Sequence, residues 1–196
     1  KRQISQLNVA LQCGGSDSYS GITANPALGI ASDMIINHGG SSILSETTEI
    51  YGAEHLLYER SINKTNIDKI EKQIEWWKEH LTKNHSTLDN NPSPGNKKGG
   101  LTTILEKSLG AVAKSGNSPM VDVLDYGEPV KTKGFNFMNG PGYDPVSVTG
   151  QVASGANIIC FTTGRGSCFG FKPTPSIKIA TNTNCLLYTS PSPRDP

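Results

Sequence analysis

Along the chain the apolar positions change period several times, and each change marks an element. Leu7, Val9 and Leu11 alternate with Asn8, Ala10 and Gln12, which predicts a short strand running into Cys13-Gly14-Gly15-Ser16-Asp17. Next, Asn25 offers a helix N-cap and Pro26 suits the first helical position. Leu28, Ala31, Ile35 and Ile36 supply one apolar face, and Gly39-Gly40 ends the helix. A second strand is predicted at Ser42 to Ser45, with a helical stretch opening at Glu46-Thr47-Thr48-Glu49 and running to Arg60. From Thr65 the residues Ile67, Ile70, Ile74, Trp77 and Leu81 step by three and four, the spacing of an amphipathic helix of about five turns.

Beyond that helix the pattern is less regular. Asn90 to Gly100 is punctuated throughout by proline and glycine and reads as a cationic loop. Leu101 to Leu109 predicts the start of a helix, Met120 to Leu124 a strand, and Val146 to Ala153 a helix despite Gly150. Asn157 to Thr162 is a nearly continuous apolar run, as expected of a central parallel strand, and it delivers Thr163-Gly164-Arg165-Gly166-Ser167 at its carboxyl end. Ser176 to Thr181 predicts one more strand. Strands alternating with helices over short connections predict an α/β fold, a mostly parallel sheet flanked by helices and rich in loops.

Composition narrows the function classes. The 196 residues suffice for a core, and 18 Lys and Arg against 17 Asp and Glu leave no broad field for nucleic acid or acidic lipid. With 21 Gly and 12 Pro, much of the backbone must lie in turns. No apolar run approaches the roughly 18 residues of a spanning helix, and Lys1-Arg2-Gln3 lacks the apolar stretch of a signal peptide. Cys13, Cys160, Cys168 and Cys185 form no CxxC pair, which predicts thiols in a reducing compartment and a cytoplasmic location.

Open parallel sheets bind ligands beyond the carboxyl ends of their strands, and glycine-rich turns stand at that edge here. The Gly164-Arg165-Gly166 turn could offer backbone N–H groups and a guanidinium to a carboxylate or phosphate, or be a plain surface turn. Lys97 and Lys98 could close on an anion, or form a solvated patch. Asp17, Glu46 and Glu49 follow predicted strands, where they could ligate a hard cation or cap helices. Cys13 could join a softer metal site or be a small buried side chain. Glu106-Lys107 could provide a base and an electrophile, or be helix surface. Neither GxGxxG nor GxxxxGK[ST] is complete, and no HExxH or zinc spacing occurs. Spacing alone therefore predicts an α/β domain that binds a small anion.

Several blocks carry a more specific resemblance. Leu11-Gln12-Cys13-Gly14-Gly15-Ser16-Asp17 with Ser20-Gly21-Ile22-Thr23-Ala24-Asn25-Pro26, then Glu46-Thr47-Thr48-Glu49, Pro94-Gly95-Asn96-Lys97-Lys98-Gly99-Gly100-Leu101, Glu106-Lys107-Ser108 and Phe161-Thr162-Thr163-Gly164-Arg165-Gly166 follow one another in family order. Together they resemble the C-terminal catalytic region of the altronate/galactarate dehydratase family of sugar-acid lyases. The stretch Glu49 to Glu54 looks more like the altronate branch. The family's enzymes are longer, so the chain resembles a fragment, with residues 1–183 as a partial catalytic domain.

The resemblance implies elimination of water from a polyhydroxy acid through an enediolate, giving a 2-keto-3-deoxy acid, with a divalent metal, Fe2+ or else Mn2+ or Mg2+. It also implies a homo-oligomeric full-length enzyme acting on a small sugar acid. On charge and chemistry, Asp17, Glu46 and Cys13 would hold the metal, and Lys97, Lys98, Asn96, Arg165, Gly164 and Gly166 the substrate. Lys107 or Glu106 would move the proton. A sulfolactate sulfo-lyase subunit or a non-catalytic anion-binding or dimerising domain are the alternatives. Asn184 to Pro196 resembles translated sequencing-adapter read-through and is expected to be a non-native, disordered tail.

Overall fold

The computed structural model describes residues 2–189. Six strands, β1 (Asn8–Cys13), β2 (Ser41–Leu44), β3 (Met120–Leu124), β4 (Phe135–Met138), β5 (Ile158–Thr163) and β6 (Ser176–Ala180), form one sheet in the order β3-β4-β2-β1-β5-β6. Every pairing is parallel. The seven helices among the described residues are α1 (Ala24–Asn37), α2 (His55–Tyr58), α3 (Lys64–Lys83), α4 (Pro94–Lys98), α5 (Ile104–Ala113), α6 (Asp144–Ala153) and α7 (Thr183–Thr189). The α/β class and parallel sheet expected from the alternation are thus the observed ones.

Side-chain alternation along the strands divides the core into two layers. Val9 and Leu11 of β1 pack with Leu28 of α1, Ile70 and Ile74 of α3 and Val112 of α5. Ala10, one residue out of phase, joins Ile43, Ile159 and Phe161 against Val148 of α6 on the opposite face. β1 is buried along its whole length because it is central and covered on both faces.

The differences from the sequence reading have local causes. The stretch from Glu46 to Arg60 is not one helix: Glu46 stands at φ 75° and Gly52 at φ 88°, so only a 3-10 turn (Thr47–Glu49) and α2 form. The loop expected at 90–100 contains α4, which is closed by a capping box in which Ser93 and Asn96 satisfy each other's backbone, with Pro94 at the first turn. β4 (Phe135–Met138) is a strand beyond those that the spacing predicts.

Asn25 does not cap α1. Its amide donates to the Gly110 carbonyl at 2.8 Å, and its Oδ1 accepts from Thr162 Oγ1 at 2.6 Å, so it ties α1 to α5 and β5. The expected tail also differs: residues 183–189 are helical, with Cys185 buried and its backbone N–H donating to Asn182 Oδ1 at 2.8 Å. Residues 190–196 of that expectation lie outside the described residues.

Candidate active site

The chain runs from β1 outward through β2 in one direction and later places β5 on the other side of β1. Connections that leave neighbouring strands in opposite directions open a crevice at their carboxyl ends. A cleft of about 460 Å³ lies at this edge. Cys13 to Ser16 after β1, Glu46 to Glu49 after β2, Pro141 to Asp144 after β4 and Arg165 after β5 all line it. Trp77 and Leu81 of α3 form an apolar wall. The indole N–H of Trp77 donates to Asn139 Oδ1 at 3.0 Å, an atom that also accepts from Thr47 Oγ1 at 2.7 Å, so wall and floor are fixed together.

The floor is acidic and buried. Gln12, fully enclosed, donates from Nε2 to Glu46 Oε1 at 2.8 Å and to Asp144 Oδ1 at 3.3 Å, while its Oε1 accepts from Ser147 Oγ at 2.9 Å. One amide therefore sets the spacing of two carboxyl groups. Burial pushes the Glu46 carboxyl up to about 8; Lys114 opposes this, and Glu49 and Asp144 reinforce it. Asp144 is also raised, chiefly by burial, against the hydrogen bond from Gln12. A non-glycine residue in the left-handed region costs on the order of 1 kcal/mol, and such residues collect at functional sites. Glu46 is one of them.

Three cations face these acids. Lys107 donates from Nζ to Glu49 Oε2 at 2.8 Å and to Asn91 Oδ1 at 2.5 Å on the cleft wall. Arg165 is exposed at the rim, and a side chain at Gly95 would collide with its guanidinium. Lys114, fully buried, places Nζ 2.8 Å from Cys13 Sγ and 3.9 Å from Glu46 Oε2. Burial pulls this ammonium down, but Cys13 and Glu46 beside it outweigh that and leave it raised. Burial is likewise the main reason that the Cys13 thiol is raised.

The sequence candidates separate on this geometry. Cys13, Glu46, Asn96, Lys107 and Arg165 share the cleft. Asp17 lines an open groove with Lys98, Gly164 and Asn182, which Arg165 shares with the cleft, and meets Cys13, Glu106 and Lys107 only at a small crevice. Its carboxylate is fully engaged there, accepting from Ser20 Oγ (3.0 Å), Thr181 Oγ1 (2.9 Å), Asn182 Nδ2 (2.8 Å) and the Tyr19 N–H (3.1 Å). Lys97 and Lys98 are exposed on α4 outside the cleft. The Asn96 side chain is spent on the capping box and on the Ser16 carbonyl, 3.0 Å away.

The Gly164-Arg165-Gly166 turn does not present its first two N–H groups to an anion, because both donate to the Gly15 carbonyl, at 3.2 and 3.1 Å. Gly164 is glycine because a Cβ would run into the Asp17 carboxylate, and Gly166 because φ is 88°. Glu106 caps the start of α5: its Oε2 accepts from the Thr102 N–H (2.8 Å) and Oγ1 (2.7 Å), which also lower its carboxyl below the usual range. That leaves Lys107 as the cleft-facing member of the pair.

The ligand set Asp17, Glu46 and Cys13 does not fit a metal ion. Asp17 is committed elsewhere, an ammonium stands beside both Cys13 and Glu46, and no cluster of three or more His, Cys, Asp or Glu side chains suits a metal ion among the described residues. Sequence reasoning missed Gln12, Lys114 and Asp144 as site residues. Lys114 ends an amphipathic helix in Ala113-Lys114-Ser115-Gly116, where a lysine reads as solvated. Asp144 sat in a turn whose preceding strand was not recognised.

A family model for D-galactarate/altronate dehydratase, C-terminal, matches residues 4–190. Altronate dehydratase of Bacillus subtilis (strain 168) is 48% identical over 92% of this chain and 36% of its own length. Galactarate dehydratase (L-threo-forming) of Escherichia coli (strain K12) is 45% identical over 91% of the chain and 34% of the relative. The (2R)-sulfolactate sulfo-lyase subunit beta of Chromohalobacter salexigens is 36% identical over 95% and 49% respectively. The chain thus spans about a third of the length of the two dehydratases and half of the sulfo-lyase subunit. Among the described residues no helix is long and apolar enough to cross a membrane.

Proposed function

The chain belongs to the D-galactarate/altronate dehydratase C-terminal family, and from that premise we propose that its cleft is the part of a hydro-lyase site where a polyhydroxy acid loses water. The observation that carries the reading is the convergence of acids and cations from the carboxyl ends of β1, β2, β4 and β5 with Lys107 on one cleft. The names of the relatives supply the substrate class, a sugar acid such as altronate or galactarate.

Elimination needs three things from these side chains. A hydrogen next to a carboxylate is a very weak acid, so its removal requires a base together with positive charge at the oxygens where the enediolate forms. Lys107 and Arg165, which both line the cleft, are suited to hold the substrate carboxylate and that developing charge. Asp144, with its carboxyl raised by burial, takes the α-proton. The electron pair left behind expels the β-hydroxyl, which Glu46 protonates as it departs. Water leaves, and the resulting enol takes up a proton at the former β-carbon and gives up its hydroxyl proton to solvent, becoming the 2-keto-3-deoxy acid. Glu46 can act as the donor because its carboxyl still carries a proton at neutral pH.

The test is a chimera in which this chain replaces the region it matches in the Bacillus subtilis enzyme. Incubated with altronate or galactarate it should release a 2-oxo acid, and Asp144→Asn should remove that activity by about a hundredfold or more. Sulfite release from sulfolactate, with no product from either sugar acid, would instead favour the sulfo-lyase reading.

A further inference from the structure

The geometry points to Lys114 as the resident cation of this site: its ammonium, on the Cys13 sulfur and facing the Glu46 carboxyl, holds the position between them, and no divalent metal binds at Cys13 and Glu46. The placement is built in. Lys114 is the C-cap residue of α5, whose carbonyl end favours a positive charge, and it is among the largest side chains fully enclosed in the fold. An ammonium taken out of water is retained only where other groups repay the lost hydration. Here the carbonyl end of α5 and the Cys13 sulfur, 2.8 Å away at the end of β1, supply that compensation, with the Glu46 carboxyl 3.9 Å off at the end of β2.

A metal at the same place would need a deprotonated thiol and at least one further ligand. It would also have to sit within a few ångströms of a fixed positive charge, in a region where little water screens the repulsion. Cys13 and Glu46 both line the cleft, whereas Lys114 stands behind them. Its charge therefore reaches the cleft through these two side chains, which makes Lys114 a positioning residue under the dehydratase reading. As a cation site it stands without that reading.

The experiment uses the 196-residue chain and no substrate. With 15N-labelled lysine, one ammonium should be protected from solvent exchange, and Cys13→Ser should shift its resonance. Lys114→Met, if it folds, should abolish that resonance. Titration of the unsubstituted chain with Co2+ should leave the resonance in place and produce no thiolate-to-cobalt absorption. A cobalt–thiolate band at one equivalent that Cys13→Ser removes would overturn the assignment, as would the absence of a protected ammonium from the folded chain. Neither result depends on turnover, so a failure here is distinct from a failure of the proposed reaction.

Discussion

Glu46→Gln, made in the chimera, should lower kcat by about a hundredfold to ten-thousandfold, the range in which a positioned proton donor contributes, and leave KM nearly unchanged. The glutamine keeps the shape of the side chain and a polar atom for Gln12, but it has no proton to give the departing hydroxide. The pH profile provides a second check. A donor whose carboxyl is raised to about 8 is competent below that value and fails above it, so activity should fall on the alkaline side near pH 8. Whatever turnover Glu46→Gln retains should lack that alkaline limb. A full-rate variant, or an unaltered limb, would remove Glu46 from the proton path.

The second large effect is expected at Lys107. Its ammonium is paired with Glu49 at 2.8 Å, and both side chains are nearly buried, at 12% and 10% exposure. Lys107→Met strands the Glu49 carboxylate and should cost about 1–3 kcal/mol of stability, the usual penalty for a buried polar group that loses its partner. It should also raise KM about tenfold or more, because one of the two cations facing the substrate carboxylate is gone. The double variant Lys107→Met with Glu49→Gln separates the two roles. Stability should recover, as coupled partners do not add, while KM stays high. Recovery of both would reduce Lys107 to a structural ion pair.

The fold was legible where one element dominated its own stretch of sequence. β1, α3 and β5 announced themselves by alternation, by three-four spacing and by an unbroken apolar run, and each appears within a residue or two of its expected bounds. Elements that depend on one backbone angle or a local cap were not legible in this way. The left-handed backbone at Glu46 stops a helix that propensity favours, and the Ser93–Asn96 box makes one in a stretch that proline and glycine argue against.

At the site, residue type was readable and partnership was not. Cys13, Glu46 and Arg165 were identified because strand ends and glycine turns place them at the binding edge of a parallel sheet, and Lys107 because the Glu106-Lys107-Ser108 block resembles the family's. Asp17 stands on the same segment as Cys13, yet its carboxylate is taken up by Thr181 and Asn182 from more than 160 positions along the chain. No local pattern reports such a contact. Lys114, 101 residues from the sulfur it meets, was hidden for the same reason.

A sugar acid is expected to enter the cleft at the ends of β1 and β5, beside Lys107 and Arg165. Titrating the 15N-labelled chain with galactarate and following its amide signals tests this most directly. Shifts should concentrate at Gly14, Gly15, Gly142, Asp144 and Lys107. Shifts confined to Tyr19, Lys98, Gly99, Thr181 and Asn182 would place the ligand in the groove beside Asp17 and contradict this expectation.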